Sequence, residues 1–404
     1  MTHHSHKKSI RLISGVSFAI VALTLLISIF ARGYKINLNP NSNSLITATG
    51  ILSATSKPKG ASVYLNDRLV TATDDTLNLK PNTYQLKIVK DGYLPWQKTI
   101  EIKKETVFQS NAQLFRSVPD LSPLTYTGAI NPAISPDQTK IVYSVASASA
   151  STDNGLFIID LNKNFTLPLS RNLPRQLSPN LTNLNWSNFT FTFSPNSEQI
   201  LATNQEKNIS YLLPLDTSVT SKNLYDVTPT LDSIEKDWQE QSNQLITNKL
   251  NKVPEELIDF ISTNSAQDIQ YSDSQEKILY LAQKDGDLTE EIITPPPAQS
   301  TQKQSRDIKT NNYYVYDLKD DTNFFIASKN DIKQLNWLAN SDSLILTTQE
   351  EIKVLDYDNT NQQTLFAGNF DSNTVLPSLD GNKIITLISP YQSASENLYT
   401  ISIR

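Results

Sequence analysis

The chain has 404 residues, a net charge of −6, no cysteine and only three histidines, all within the first six positions. Without cysteine there is no disulfide, no cysteine nucleophile and no lipid-modified cysteine, and a folded region without histidine holds neither a Ser-His-Asp triad nor a histidine-ligated zinc. The acidic balance argues against nucleic acid as a partner.

The first predicted element is an uncharged, mostly apolar run of 20 residues, 12–31. A helix of that length spans about 30 Å, the hydrocarbon thickness of a bilayer. We therefore predict a single transmembrane helix between a cytoplasmic tail, 1–11, and a linker, 32–49. A cleaved signal peptide is the alternative. Its apolar core is shorter, about 7–15 residues, and Ile29 sits badly three residues before a cut after Ala31.

The charges beside this run predict its orientation. Three basic residues precede it and two follow it: Lys7, Lys8, Arg11, Arg32 and Lys35. The side with more lysine and arginine stays in the cytoplasm. Nearly the whole chain is therefore predicted to lie outside the cell, held at the cell membrane by one span.

Residues 50–115 alternate apolar and polar side chains in short runs separated by turn residues, which indicates a small β domain. The runs KPKGASVYLND, from Lys57, and LNLKPNTYQLKIVKDGYLPW, from Leu77, resemble the PEGA domain, a small β-sandwich of prokaryotic surface proteins. The matching positions are Pro58, Gly60, Ala61, Val63, Tyr84, Gly92 and Tyr93. The resemblance implies an extracellular module and carries no catalytic residue.

Two details of this domain bear on function and on turn geometry. Four aromatic residues can form a sugar-stacking strip or pack in the core, and the second use is favoured: Tyr64, Tyr84, Tyr93 and Trp96. Asn82 stands where the family has a turn glycine, and asparagine tolerates the positive φ that such a turn requires.

A recurring unit fills residues 120–404: a strand-like run, a polar turn and a second strand. In five copies the first turn residue stands six positions before an apolar one: Ser135 and Ile141, Ser194 and Ile200, Ser272 and Ile278, Leu338 and Leu344, Ser378 and Ile384. The last two copies are 40 residues apart, about the length of a four-stranded propeller blade. The Ser-Pro-Asp turns resemble the TolB-type or WD40-like β-propeller repeat, although only Gly381 keeps the glycine usual after the aspartate. An all-β fold with a five-bladed propeller is predicted.

Two stretches interrupt the repeats. Residues 230–264 carry apolar side chains at helical spacing, with Pro254 opening a second apolar run. They predict a helical insertion whose apolar stripe packs on the propeller or on a partner. Residues 283–311 contain three consecutive prolines followed by a polar stretch, a composition that predicts a flexible loop.

The end of the chain predicts how the propeller closes. The final strand, 398–403, corresponds to the third strand of the other blades, so the fifth blade lacks its outermost strand. Open strand edges invite unwanted pairing. The strand-like run 123–127 is therefore predicted to pair with the final strand and tie the two ends together.

Polar residues that follow the predicted third strands have two interpretations, a calcium-binding loop or a hydrogen-bonded turn. Asp356, Asp358 and Asn361 have the oxygen ligands of a Ca²⁺ loop. However, the glycine at the sharp bend and the closing bidentate glutamate of such a loop are absent. Turn chemistry, in which Asp and Asn bond to nearby backbone, is therefore favoured, and no metal site is predicted.

The arrangement of tail, anchor, PEGA-like domain and propeller resembles membrane-anchored surface proteins of candidate-phylum bacteria. No phosphate loop or dinucleotide motif is present, so we expect no enzyme, no cofactor and no catalytic site, and the sequence identifies no ligand-binding residue. The predicted function is a membrane-anchored extracellular binding or scaffolding protein of the cell envelope, whose partner is an envelope protein or cell-wall glycan. Two alternatives remain: a carboxylate-dependent cell-wall glycan hydrolase, and an accessory subunit of an envelope complex that docks through residues 230–264.

Overall fold

The computed structural model describes residues 15–24, 27–28, 34–36, 46–146, 148–161, 174–251, 253–262, 264–289, 292–293, 300–389 and 395–404. The chain divides into two compact units. The first comprises Met1–Leu114 and Pro296–Gln302, and the second comprises Phe115–Pro295 and Lys303–Arg404.

The predicted transmembrane run is described only in part. Residues 15–24 and 27–28 are helical, whereas the remainder of 12–31 and the tail, 1–11, lie outside the described residues. Within the described part of the chain, no helix is both long enough and apolar enough to cross a membrane.

The first unit is built from short strands. They are β1 (Tyr34–Ile36), β2 (Ile46–Ala48), β3 (Gly50–Ala54), β4 (Ser56–Lys57), β5 (Ser62–Leu65), β6 (Arg68–Ala72), β7 (Asp75–Leu79), β8 (Asn82–Val89), β9 (Trp96–Ile102), β10 (Val107–Gln109) and β11 (Ala112–Gln113). One sheet has the order β6-β5-β8-β9 and another β10-β3-β7, while β4 pairs with β11 and β1 with β2. Alternate residues of these strands, such as Val63, Ile88 and Leu52, are fully buried in one shared core.

The turns of this unit agree with what the sequence predicts, with one exception. Asn66 and Asp67 both take positive φ, 48° and 61°, in the two-residue hairpin between β5 and β6, as a type I′ turn requires. Gly92 also has positive φ, 78°. The expectation for Asn82 is wrong: this residue opens β8 and pairs with Ile102, so it adopts no left-handed conformation.

The second unit contains twenty-two strands and two α-helices among its described residues. The strands are β12 (Asp120–Pro123), β13 (Ile130–Ile134), β14 (Lys140–Val145), β15 (Gly155–Asp160), β16 (Arg175–Pro179), β17 (Thr190–Phe193), β18 (Gln199–Asn204), β19 (Ile209–Pro214), β20 (Tyr225–Asp226), β21 (Ala266–Tyr271), β22 (Lys277–Ala282), β23 (Gly286–Asp287), β24 (Asp307–Ile308), β25 (Asn312–Asp317), β26 (Thr322–Ser328), β27 (Gln334–Trp337), β28 (Ser343–Thr347), β29 (Glu351–Asp356), β30 (Gln363–Ala367), β31 (Phe370–Pro377), β32 (Lys383–Ile388) and β33 (Asn397–Ser402). The α-helices are α1 (Leu231–Leu250) and α2 (Glu255–Ile261).

Twenty of these strands form five four-stranded antiparallel sheets, and β23 and β24 pair with each other. Sheet one is β13-β14-β15-β16, sheet two β17-β18-β19-β20, sheet three β21-β22-β25-β26, sheet four β27-β28-β29-β30 and sheet five β31-β32-β33-β12. The first strands of the sheets lie against one another: β13 contacts β17 and β31, and β27 contacts β21 and β31. Sheets one and five, formed from opposite ends of the repeat region, are therefore neighbours.

The predicted closure of sheet five is confirmed. Strand β12 pairs antiparallel with β33, from Asp120 opposite Ser402 to Pro123 opposite Tyr399. The ladder begins three residues earlier than predicted, and the backbone N–H groups of Leu124 and Thr125 both donate to the carbonyl of Leu398. The outer edge of β33 is thus covered by a strand that precedes the first repeat.

The four repeated turns that begin with serine share one hydrogen-bond pattern. The Ser135 hydroxyl donates to Asp137 Oδ1 at 2.5 Å and accepts from the backbone of Lys140 at 2.9 Å, and Ser378 repeats both bonds with Asp380 and Lys383. The residue after the Asp position has positive φ in all five turns: Gln138, Ser197, Gln275, Ser341 and Gly381. The positive φ at this position is therefore kept in the four turns where a residue other than glycine occupies it.

Replacing Gln275 by glycine is expected to raise stability. Gln275 is exposed and has a φ of 59°, a conformation that costs an L-residue about 1 kcal/mol more than glycine. Gln199→Gly is the matched control, because Gln199 is exposed but lies in a strand, where glycine destabilises by about 0.5–1 kcal/mol. Urea unfolding of both variants measures the difference, and a destabilised Gln275→Gly would contradict the argument.

The helical insertion is present, and part of its apolar stripe packs on sheet three. Leu250 of α1 and Leu257 and Ile261 of α2 are buried in a cluster with Tyr280 and Tyr316 of that sheet. The earlier part of the stripe on α1 has a different environment. Ile234 and Trp238 are only half-buried and Leu245 is exposed.

The stretch predicted as a flexible loop, 283–311, is folded at both ends. Strands β23 and β24 pair with each other, and Leu288 and Ile308 are buried in the cluster that holds the helices. Arg306 donates to the buried carboxylate of Asp321 at 3.1 Å. Residues 294–299, which include the three prolines, lie outside the described residues.

Within the first unit, residues 300–302 contact an outer strand of its larger sheet. The Thr301 hydroxyl and the Gln302 side-chain amide both donate to the carbonyl of Thr99 in β9, at 2.9 and 3.2 Å. The composition argument missed these contacts because a few specific polar bonds can hold a segment that buries little apolar surface.

Candidate functional site

The second unit contains a cavity of about 690 Å³, which we call the roofed cavity. Its walls come from the first strands of sheets one, three, four and five, and α1 covers it with Leu245, Ile246 and Lys249. The helical insertion therefore contributes directly to the space between the sheets.

Side-chain amides fix the walls of the roofed cavity. Gln270 Nε2 donates to the carbonyl of Leu335 at 3.1 Å, and Trp337 Nε1 donates back to the carbonyl of Gln270 at 3.2 Å. Gln334 bridges sheets four and five in the same way, donating to Asn373 and accepting from the Val375 backbone. These amides are committed to the framework and hold three neighbouring strands in register.

Three charged residues line the roofed cavity: Lys249, Lys333 and Asp268. The Asp268 carboxylate accepts a 2.6 Å hydrogen bond from the Tyr313 hydroxyl and lies 4.0 Å from the ammonium group of Lys329, outside the lining. Burial and the bond to Asp268 raise the pKa of Tyr313, so it stays a neutral donor. The Asp268 carboxylate is therefore already engaged by partners within the protein.

Where α1 borders the roofed cavity, which we call its roof end, the lining contains the ammonium group of Lys249 and a tyrosine hydroxyl, that of Tyr271, without a hydrogen-bond partner. Lys249 Nζ lies 5.8 Å from the centre of the Tyr271 ring. The Tyr271 hydroxyl is buried without a hydrogen-bond partner, and burial raises the pKa of Tyr271 to about 12. It is therefore a neutral hydrogen-bond donor at neutral pH.

A second cavity, of about 490 Å³, lies at the opening residues of β13, β17 and β31. Among the residues that the structure describes, its lining carries two carboxylates, Asp371 and Glu396, and no lysine or arginine. Asp371 accepts from the backbone of Asn373 at 3.0 Å and from the Thr374 hydroxyl at 2.6 Å. The two cavities therefore have opposite charge character.

The residues considered for calcium form a closed turn. Asn361 Nδ2 donates to Asp356 Oδ2 at 2.9 Å, and the Thr360 hydroxyl donates to Asp358 Oδ1 at 2.6 Å. Asp317, at the same place in sheet three, accepts from the backbone of Lys319 at 2.9 Å. These bonds are those of turn chemistry, and the described residues include no group of three His, Cys, Asp or Glu side chains arranged to hold a metal.

The aromatic residues of the first unit belong mainly to its core. Trp96 is buried, and Tyr84 and Tyr93 pack against the same cluster. Tyr64 is half-buried, on the opposite side of β5 from the core residues Val63 and Leu65. The four rings therefore form no exposed strip for stacking sugars, and core packing, the use favoured from the sequence, accounts for three of them.

The residues of the roofed cavity escaped sequence reasoning, although the repeat carried a signal for them. The residue just before the turn in each copy ends a first strand, and three of these positions line the cavity: Ile134, Tyr271 and Trp337. Aligning the copies by their turns would have identified these positions. The position of Lys249 over the cavity had no such signal, because it belongs to the insertion.

Comparison with known structures gives matches of low sequence identity and low TM-score. No curated protein matches the chain. A putative TolB from Agrobacterium tumefaciens is 11% identical, with 88% of this chain and 99% of that chain covered and a TM-score of 0.21. A protein of unknown function from Bacteroides thetaiotaomicron is 9% identical, with 91% and 99% covered and a TM-score of 0.27.

The chain also matches the Pyrococcus horikoshii acylaminoacyl peptidase at 11% identity and a TM-score of 0.22, where 69% of this chain is covered. It spans only 39% of the length of that peptidase. The family comparison is confined to the first unit and its border: residues 49–117 match the PEGA domain, as the resemblance over residues 50–115 predicted.

Proposed function

We propose that the protein is a membrane-anchored, extracellular binding or scaffolding protein of the cell envelope without catalytic activity. The observation that carries the proposal is the roofed cavity, a ligand-sized space walled by four sheets and covered by an inserted helix. Its donors and aromatic side chains suit binding. The PEGA domain at residues 49–117 supports an extracellular setting.

The architecture behind the proposal is a five-bladed propeller. Sheets two, one, five, four and three form a continuous series of neighbours, and β12 joins the two ends of the repeat region in sheet five. We infer that the five sheets close into a ring around the roofed cavity, with their first strands innermost, as in β-propellers.

The membrane anchor in this proposal is the apolar run 12–31. Its described helical part carries exposed apolar side chains, among them Phe18 at 76% and Leu23 at 60% exposure. Such side chains suit a lipid environment. The basic residues on the N-terminal side orient the anchor with the bulk of the chain outside.

Single-cysteine labelling tests this topology cleanly, because the chain has no cysteine of its own. Thr217, exposed in the second unit, is changed to cysteine in one variant, and Ser5 of the tail in another. A membrane-impermeant maleimide is expected to label Thr217→Cys on intact cells and Ser5→Cys only after permeabilisation. Labelling of Ser5→Cys alone on intact cells would reverse the orientation, and protection of both would place the protein inside.

A glycan hydrolase remains the competing function, favoured by one observation: Asp371 and Glu396 line the same cavity. Two carboxylates are the usual equipment of glycoside hydrolysis. The full chain, purified in detergent, would then release reducing sugar from cell-wall glycan, and Asp371→Asn and Glu396→Gln would each abolish the release. We expect no release from the unaltered protein.

Docking through the helical insertion is the third function, favoured by the half-buried Ile234 and Trp238 and the exposed Leu245 of α1. It predicts one stoichiometric membrane partner that co-purifies with the unaltered chain. Trp238→Ala would then remove the partner while the melting temperature stays unchanged. Retention of the partner by this variant would exclude this surface.

A further inference from the structure

We propose that the roofed cavity binds a small organic acid with the chemistry of a sugar acid, a carboxylate on a hydroxyl-rich body. The inference rests on the proposed function, because it names the ligand class of a binding module. The cavity volume of about 690 Å³ lies within the range of about 300–1,000 Å³ typical of small-molecule sites. It suits a sugar acid of one to a few units.

The net charge of the residues that line the cavity favours an anionic ligand. Of the three charged residues, Asp268 is engaged by Tyr313 and faces the ammonium group of Lys329. Lys249 and Lys333 line the cavity, and neither ammonium group is paired with a carboxylate among the described residues. A net positive cavity in a chain of net charge −6 favours a negatively charged ligand over a neutral one.

The donors at the roof end match a carboxylate. The buried Tyr271 hydroxyl has no partner in the described structure, and the Lys249 ammonium group lies over the same ring. A carboxylate accepts hydrogen bonds at both oxygens, and bonds between ionised groups are stronger than neutral ones. The Lys249 ammonium group is therefore the charged donor for the carboxylate, which would lie beside the Tyr271 ring.

The remaining lining suits hydroxyl groups. Asn336 and Gln138 are half-buried in the cavity wall, and a side-chain amide both donates to and accepts from a sugar hydroxyl. Gln270 and Gln334 are committed to neighbouring strands, so they hold the shape without competing for the ligand. The second cavity, lined by carboxylates and without a lysine, has the opposite preference.

The test is calorimetric titration of the full chain, purified in detergent, with digalacturonate and with the neutral disaccharide lactose. Digalacturonate is expected to bind and lactose is not. Lys249→Ala and Lys333→Ala are each expected to weaken binding about tenfold or more, because each removes a positive charge from the lining. Tyr271→Phe, which keeps the ring, is expected to weaken it less. Raising the salt concentration should weaken binding to the unaltered chain.

Lys236→Ala is the matched control, because Lys236 lies on the same helix, is exposed and is paired with Glu240 at 3.8 Å outside the cavity. It is expected to bind digalacturonate like the unaltered chain. Equal binding of lactose, or unchanged affinity in both lysine variants, would overturn the inference. Binding of tri-glutamate but not digalacturonate would also overturn it, in favour of an acidic peptide. If no probe binds while Thr217→Cys is labelled on intact cells, the ligand class falls and the proposed extracellular location stands.

Discussion

Deletion of residues 398–404 is expected to unfold the second unit as a whole and to leave the first unit folded. Strand β33 lies between β12 and β32, so its removal breaks two ladders. Leu398, Ile401 and Ile403 are fully buried, and each contributes about 1.5–3 kcal/mol through burial. Their sum is comparable to the entire stability of a typical domain, about 5–15 kcal/mol.

Hydrogen exchange read by mass spectrometry distinguishes the outcomes, since it follows each unit separately. Loss of protection in all five sheets, with β5 and β8 of the first unit still protected, is the expected result. Fraying confined to β12 and β32 would show that the sheets are stable without their closure.

Two point variants test the contribution of β33 to stability with smaller changes than the deletion. Ile401 and Leu121 face each other across the β12–β33 ladder, but Ile401 is fully buried and Leu121 is 48% exposed. Ile401→Ala should cost about 2–5 kcal/mol, in the range of buried large-to-small changes, and Leu121→Ala less than about 1 kcal/mol. Equal losses of stability in the two variants would contradict the conclusion that β33, between β12 and β32, carries most of the stability of sheet five.

Much of the sheet architecture was predictable because the turns are local. The serine of each Ser-x-Asp turn bonds to residues two to five positions away, as Ser135 does with Asp137 and Lys140. Such contacts depend on sequence spacing alone. The pairing of β12 with β33 was predictable for another reason, since the last blade lacked a strand and a strand-like segment was left over.

The roofed cavity depends on contacts that spacing does not encode. Lys249 reaches Tyr271 across 22 positions of sequence, and Gln270 reaches Leu335 across 65. Which residues meet there depends on where α1 lies against the sheets. The ends of the stretch 283–311 were mispredicted for the same reason: Arg306 bonds to the Asp321 carboxylate and to the carbonyl of Thr289, and composition does not reveal such specific contacts.

Replacing Lys277 by methionine is expected to destabilise the second unit strongly. Lys277 is 7% exposed, and its ammonium group lies 3.3 Å from Asp342 and 3.8 Å from Asp317. It also sits 4.4 Å from the centre of the Tyr357 ring. Methionine keeps the volume of the side-chain stem but leaves the buried Asp317 without its cation. Breaking a buried pair in this way costs about 3–5 kcal/mol.

The loss should depend on pH in a defined direction. Burial raises the pKa of Asp317, and the nearby Lys277 ammonium group opposes that rise. Without Lys277 the pKa of Asp317 in the folded protein is higher still. A carboxyl group whose pKa is higher folded than unfolded binds more protons in the folded state, so its stability contribution increases as the pH falls. The deficit of Lys277→Met relative to the unaltered chain should therefore shrink between pH 7 and pH 5.

Urea unfolding at both pH values measures this deficit, and two further variants identify its cause. Lys353→Met removes a lysine paired with Glu351 at 3.1 Å on a more exposed surface, where a pair is worth less than about 1 kcal/mol. Adding Asp317→Asn to Lys277→Met removes the uncompensated charge while its Oδ1 still accepts from the Lys319 backbone, so the double variant should regain stability over Lys277→Met alone. If Lys277→Met costs no more than Lys353→Met, or if its deficit grows as the pH falls, the buried charge cluster does not hold sheets three and four together.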